Sequence, residues 1–228
     1  MARPSDPLID RDAAARAALE IIDKDGLQNF NLGQVAARLG VKPPSLYYHF
    51  RDKSEILTEV ARTILLDAQR PFKSRPENWI EAKVANQTAI RRSILKHPNA
   101  TPLLLMYPAR HSHLTEYEKG IRYLERHGVP AEQHMAIITG LEYLTFGSAF
   151  LTAAALSRHV REFAPHDPHL FPSLAAAIKS NKLSEEAIFE ETVRAFLEGF
   201  VMRADRKVKA RKQANGRRAS TPATARRA

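Results

Sequence analysis

Apolar side chains recur at helical spacing along most of the chain, and no stretch alternates apolar with polar residues as a half-buried strand would. Residues 10 to 25 place Ala14, Ala18, Leu19, Ile21 and Ile22 on one face, and Gly26 ends the run. Asn31 starts a short helix that Gly40 terminates, and a second begins with Pro43 at the cap and Pro44 at the first helical position. Asp52 and Glu55 form a further capping signal ahead of a stripe of Ile56, Leu57, Val60, Ala61, Ile64 and Leu65 that stops near Pro71. Four helices thus predict a compact N-terminal unit ending near residue 70. After the polar link PFKSRPEN, the pattern predicts helices at about 77–97, 100–107, 112–127, 131–158, 170–181 and 184–210. The fold class is all-α.

Two of the later helices carry more apolar surface than a small domain covers. Residues 135 to 157, MAIITGLEYLTFGSAFLTAAALS, contain one charge, Glu142. Length alone allows a membrane span, yet Glu142 and several hydroxyls interrupt the segment and no basic cluster abuts its start, so a buried helix fits better. In the last helix Ile188, Phe189, Val193, Phe196, Leu197, Phe200 and Val201 form a wide apolar stripe behind the cap Ser184. Both helices can be core of a single chain. Alternatively, parts of both pair with their copies in a second chain, with Phe189, Val193, Phe196 and Phe200 at the interface.

Composition narrows the partners. The 228 residues are 44% apolar and 26% charged, enough for one medium or two small globular domains. There is no cysteine, which excludes disulfides, zinc fingers and thiol chemistry. The start MARPSDPLID has no apolar run, so a cytoplasmic location without export or membrane attachment is expected. The net charge is +10, but Arg203 to Ala228 hold ten Lys or Arg against one Asp, leaving about +1 for the rest. Residues 205–228 therefore form a basic tail, expected to be disordered beyond a helical start that can run as far as Gly216. It is either a contact for DNA phosphates or a solvated end.

The stretch Asn31 to Lys53, NLGQVAARLGVKPPSLYYHFRDK, carries the chemistry. Its two short helices are joined by a turn of about three residues, as a helix-turn-helix requires. Leu46 and Phe50 share a face that, with Val41, can pack on Val35 and Leu39. Pro44, Ser45, Tyr48 and His49 then point outward, with Tyr47 on the flank. An exposed face of two aromatics and a histidine is costly unless something covers it, and a DNA groove would. Lys42 and Lys53 offer ammonium groups to phosphates. Pro43 and Pro44 have no backbone donor, so they can read groove shape or thymine methyls but not a donor pattern. For Asn31 and Gln34, a capping box accounts for both residues as well as DNA contact does.

GVKPPSLYYHFRDKSEIL, preceded by QVAARL and the approach from Gly26 to Asn31, resembles the DNA-binding domain of the TetR (tetracycline repressor) family of bacterial transcriptional regulators. The match covers roughly residues 10 to 65. It implies a three-helix helix-turn-helix DNA-binding domain over 8–70 and a larger helical ligand-binding and dimerisation domain over 71–204. It also implies a homodimer on a palindromic double-stranded operator, released by a small-molecule inducer, and repression more often than activation. On the matching positions, Tyr47 and His49 would touch the phosphate backbone, Tyr48 would lie at the groove, and Asn31 stands where many relatives have a threonine that touches phosphate. Lys42 departs from the serine or threonine that relatives often carry there.

In that family the later helices surround a ligand cavity, which makes Trp79, Met106, Tyr107, His111, Tyr117, His134, Glu142, Tyr143 and Phe146 candidate lining residues; each has ordinary core or surface as its alternative. His111 and His113 are two apart, unlike metal pairs on a helix, and neither a metal nor a cofactor is expected. Two other functions remain open to the residues. Glu142 with a histidine could serve as acid and base in an all-helical enzyme, although no nucleophile elbow, phosphate-binding glycine loop or HExxH accompanies it, so no enzymatic activity is expected. A sequence-indifferent DNA-coating protein would suit the tail.

Overall fold

The computed structural model describes residues 10–69, 78–107, 114–158 and 167–219. Ten α-helices and no strand lie among them: α1 (Arg11–Asp25), α2 (Leu32–Arg38), α3 (Pro43–Leu46), α4 (Lys53–Leu66), α5 (Trp79–Leu95), α6 (Leu103–Met106), α7 (Leu114–Arg126), α8 (Ala131–Arg158), α9 (Pro172–Ser180) and α10 (Glu185–Ala219). Local chemistry sets several boundaries. Asp10, Asp52 and Asn78 each accept a first-turn N–H at the start of α1, α4 and α5. Gly26 and Gly40 take φ of 81° and 68°, a region where a Cβ is strained. The boundary expected at residue 70 falls within 70–77, outside the described residues.

Two boundaries differ from expectation. Lys42, not Pro43, caps α3, and both prolines lie in its first turn, where no N–H has an intrahelical partner to lose. The helix is one turn long and continues through tighter bonds from Tyr47 N to Pro44 O and His49 N to Leu46 O. At the other end, α10 runs through Gly216, the expected limit of a helical start to the tail, and ends at Ala219. Alanine, lysine, arginine and glutamine are strong helix formers and carry α10 past the last core contact.

Two apolar clusters organise the helices. The first joins Ala14, Ala18 and Ile22 of α1, Val35 of α2, Leu46 and Phe50 around α3, and Ile56, Val60 and Ile64 of α4. It continues into Ile94, Leu103, Leu104 and Ala149, so the core of the N-terminal unit runs on into α5, α6 and α8. Ser93 Oγ donates to Ile64 O at 2.7 Å, and His97 Nδ1 lies 2.6 Å from Asp23 Oδ2; these fasten the end of α5 to α4 and α1. The second cluster, around the start of α5, holds Ile80, Val84, Leu124, Ile137, Leu141, Phe189, Val193 and Leu197.

Helix α10 lies antiparallel to α5, with Glu186 on Arg92 at 2.6 Å and Arg194 on Glu81 at 2.7 Å. This packing corrects the expected interface. Phe189 and Val193 are buried in the chain's own core, because the stripe they belong to faces α5 and α8. Phe196 and Phe200 are half-buried beside the same cluster, ring centroids 5.1 Å apart. Helix α8 keeps much of its apolar surface outside: Met135, Tyr143 and Leu151 are exposed.

Candidate nucleic-acid interface

Helices α2 and α3 are set by contacts that reach in from the rest of the N-terminal unit. Asn31 Oδ1 accepts from Gln34 N at 3.1 Å while Gln34 Oε1 accepts from Asn31 N at 2.9 Å, a complete capping box. Val41 N returns to Ala36 O at 3.0 Å across the Gly40 turn. Leu46 and Phe50 are then wholly buried against Val35, with Leu39 and Val41 packed at the margin, in the arrangement expected from their spacing.

Burying that face turns the other outward. Lys42, Pro43 and Pro44 are exposed, Ser45 and His49 are half-buried, and Tyr47 and Tyr48 are 56% and 89% exposed. Lys53 is less free than its position suggested. Its ammonium donates to Phe30 O at 2.6 Å and lies 5.2 Å from the Phe30 ring centroid, leaving two N–H groups for another acceptor. The side chains of Asn31 and Gln34 are each occupied by capping.

Arg11 and Arg51 complete this surface and had no place among the sequence-derived candidates. Arg11 donates to the backbone oxygen of His49, pairs with Glu55 at 2.8 Å and covers the Phe50 ring at 4.5 Å. Glu55 in turn accepts from Arg51 N at 2.7 Å. That backbone bond, and then Arg11, hold its carboxyl below the usual carboxylate range. The Arg51 side chain is 90% exposed next to the aromatic face. Nothing local in the sequence marks Arg11, since its partners lie 38 to 48 positions away.

Of the candidate ligand residues, Tyr117 and Glu142 are brought together. Tyr107 and Phe146 pack on the first cluster, while Met106 and Tyr143 are 60% and 69% exposed. Tyr117 donates to Glu142. His134 is buried with Nε2 2.8 Å from Val129 O. Trp79 borders a cleft with His127, Val129, Gln133 and Phe200, and His111 lies outside the described residues.

Between α5, α8 and α10 lies a polar layer that was not anticipated. The Arg91 side chain, 4% exposed, donates to Ser148 Oγ at 2.8 Å and Thr152 Oγ1 at 3.0 Å, with Glu185 at 3.5 Å. Thr145 donates to Gln87 at 2.7 Å nearby. The spacing of Ile80, Val84, Gln87, Arg91 and Ile94 put this layer on the buried face of α5, a signal present in the sequence. Among the described residues, no three His, Asp or Glu side chains gather as a metal site would need.

Comparison with known proteins agrees with this architecture. The model of bacterial regulatory proteins of the tetR family matches residues 15–60, and that of the tetracyclin repressor-like C-terminal domain matches residues 71–204. An HTH-type transcriptional regulator of Saccharopolyspora erythraea is 30% identical over 102 residues, which cover 45% of this chain and 43% of that protein, so the chain aligns with less than half of its length. A TetR variant from Acinetobacter baumannii AYE, in complex with minocycline, superposes with a TM-score of 0.65 at 22% identity over 84% of this chain and 93% of that one. BioQ with its natural double-stranded DNA operator superposes with a TM-score of 0.53 at 26% identity over 64% and 88%. With a helix-turn-helix at its N-terminus and the family's C-terminal helices behind it, the chain belongs to the TetR (tetracycline repressor) family of DNA-binding transcriptional regulators.

Proposed function

We propose that this regulator is a ligand-responsive repressor that binds a palindromic operator as a homodimer and is released by a small-molecule inducer. The observation that carries the reading is Tyr48, 89% exposed beside Tyr47 on a helix whose opposite face, Leu46 and Phe50, is fully buried. Such a face gains cover only from a partner, and the BioQ–operator complex offers the matching one. Pro43, Pro44, Ser45 and Tyr48 meet the groove in this reading, with Lys42, Tyr47, His49 and Lys53 on flanking phosphates and Asn31 and Gln34 fixing the helix in front. The DNA-binding unit spans 8–70 and the ligand and dimer unit 71–204. The protein works in the cytoplasm, where the chromosome is.

The exposed apolar positions of α8, Tyr143 and Leu151 with Gly147 between them, recur every fourth residue and support pairing with a second copy. Helix α9 has no buried residue, and the flanking Leu170, Phe171 and Leu183 are exposed, which fits seating on that copy. Half-buried Phe196 and Phe200 border this surface. The minocycline complex of a related fold supports a small-molecule site among the later helices, where Tyr117 donates to Glu142. Because the first cluster runs from α1 and α4 into α5, α6 and α8, a ligand that repacks those helices can change the spacing of two recognition helices from about 34 Å.

Selection of bound fragments from genomic DNA, with and without a small-molecule extract, tests the proposal. The expected outcome is one palindromic motif, bound at least ~10³-fold more tightly than random DNA and lost in the presence of the inducer. Equal retention of all fragments would leave a DNA-coating protein instead. For the dimer, Leu151→Glu should shift the sedimenting species to monomer, and an unchanged dimer would refute the α8 pairing.

A further inference from the structure

The corner between α7 and α8 and the Phe200 turn of α10 enclose a cleft at the start of α5, opposite the end that Ser93 fastens to α4. Trp79, Val129, Pro130 and Phe200 give it apolar walls, and it holds about 180 Å³. A cavity of roughly 150 Å³ accommodates benzene, so this one is sized for a single six-membered ring. The corner is fixed before anything binds. Gly128 takes φ of 71°, Val129 N returns to Leu124 O at 3.1 Å, and His134 Nε2 donates to Val129 O at 2.8 Å. His127, which also lines the cleft, donates from Nδ1 to Tyr123 O at 2.7 Å, and this leaves Nε2 of the neutral ring as an acceptor.

Gln133 points to an occupant. It lines the same cleft with 8% of its surface exposed, and its side-chain amide makes no hydrogen bond among the described residues. Buried amides are nearly always paired, because an unpaired one forfeits its water without return. Unlike Asp23 Oδ1, the Gln133 amide is not sealed inside the core, and the opening it borders is the cleft. An amide sets a donor and an acceptor side by side, the complement of another amide edge. No Lys, Arg, Asp or Glu lines the cleft, so a charge on the occupant would go unpaired. We propose that this cleft is a binding site for a neutral one-ring aromatic amide or lactam, whose ring packs against Trp79 and Phe200 and whose amide edge pairs with Gln133. The site is separate from the small-molecule site proposed beside Tyr117, since Glu142 lies nine residues beyond Gln133 on α8, roughly 14 Å away. It depends on neither the operator nor the inducer reading.

Trp79 is the single tryptophan of the chain, so its fluorescence reports on the cleft directly. Benzamide carries both the ring and the amide edge, and toluene carries the ring with a methyl group in place of the amide. Titrated into the full-length protein, benzamide should shift the Trp79 emission saturably with a Kd of about 1 mM or below, and toluene should bind about tenfold more weakly. Gln133→Met keeps the length of the side chain and suits a helix; it should weaken benzamide about tenfold and leave toluene within about twofold of wild type. No saturation by benzamide, or equal affinity for the two probes, would overturn the proposal, and both results come from the wild-type chain alone. So would a folded Gln133→Met variant that binds benzamide as tightly as wild type, or that loses both probes together. An emission that ignores benzamide but shifts as the protein is diluted would give the cleft to a second copy of the chain instead, and the proposal would fall.

Discussion

The guanidinium of Arg11 donates to the backbone carbonyl oxygen of His49, joining the first turn of α1 to the end of the recognition helix. The same group spans Phe50 and Glu55, so one side chain satisfies a carbonyl that α3 leaves open and braces the residue after the aromatic face. Arg11→Ala is expected to cost about 1–2 kcal/mol of stability and to weaken operator binding about tenfold, with Arg11→Lys intermediate. Fluorescence anisotropy at a temperature where both variants remain folded measures this. Affinity that stays at the wild-type level while the melting temperature falls would show that the brace does not position the helix.

Tyr47 and Pro44 should separate two kinds of contact. Tyr47 sits on the flank, so removing its hydroxyl would delete the phosphate contact proposed for it, one common to every sequence. Pro44 lies in the first turn of α3, the part proposed to meet base edges, where an added N–H would change what can be read. Tyr47→Phe is therefore expected to lower affinity for all operator variants by a similar factor of about 3 to 10, and Pro44→Ala to reorder their preference. A panel of operators with single base changes checks both, and the reverse pattern would exchange the two roles.

Lys83 stands on α5 with its ammonium 4.9 Å from the Tyr123 ring centroid and no carboxylate in ion-pair range among the described residues. Burial pushes its amine down to about 8. In the unfolded chain a lysine titrates near 10.4, so between roughly pH 8 and 10 the unfolded state holds more protons and stability rises with pH. Lys83→Met should therefore stabilise the fold at pH 7 by about 1–2 kcal/mol, less than the full shift because the side chain is partly solvated and its ring contact is lost. The gain should fade as pH approaches 10. Denaturant melts across that range measure it, and a gain independent of pH would mean that packing alone is responsible.

What could be read in advance follows the range of the forces involved. The Asn31–Gln34 capping box, the Gly26 and Gly40 stops and the Leu46–Phe50 face depend on residues a few positions apart, and each formed as expected. The Arg11 brace depends on partners far along the chain and left no local trace. Phe189 and Val193 show a different limit, because an apolar stripe states that a helix face is covered without saying by what. The candidate pocket residues carry the same ambiguity. Aromatic and histidine residues on these helices can meet each other, the core or solvent at equal cost in pattern, and Tyr143 and His134 took opposite courses.

Gly140 on α8 faces the Phe196 ring of α10. A Cβ there would overlap the end of the Phe196 ring, nearer than non-bonded carbons approach. The ring has little room to withdraw, since it packs edge-to-face on Phe200 with centroids 5.1 Å apart. Gly140→Ala gains helix propensity of up to about 1 kcal/mol, but the clash should outweigh it and leave a net loss of about 1–2 kcal/mol. Phe196→Leu on its own should also destabilise, by removing part of the aromatic contact. Combined, the two should cost less than their sum, because the shorter side chain vacates the space that the added methyl needs. Chemical denaturation of the wild type, both single variants and the double variant gives the coupling directly. Strict additivity would show that the α8–α10 contact yields elsewhere than at Phe196.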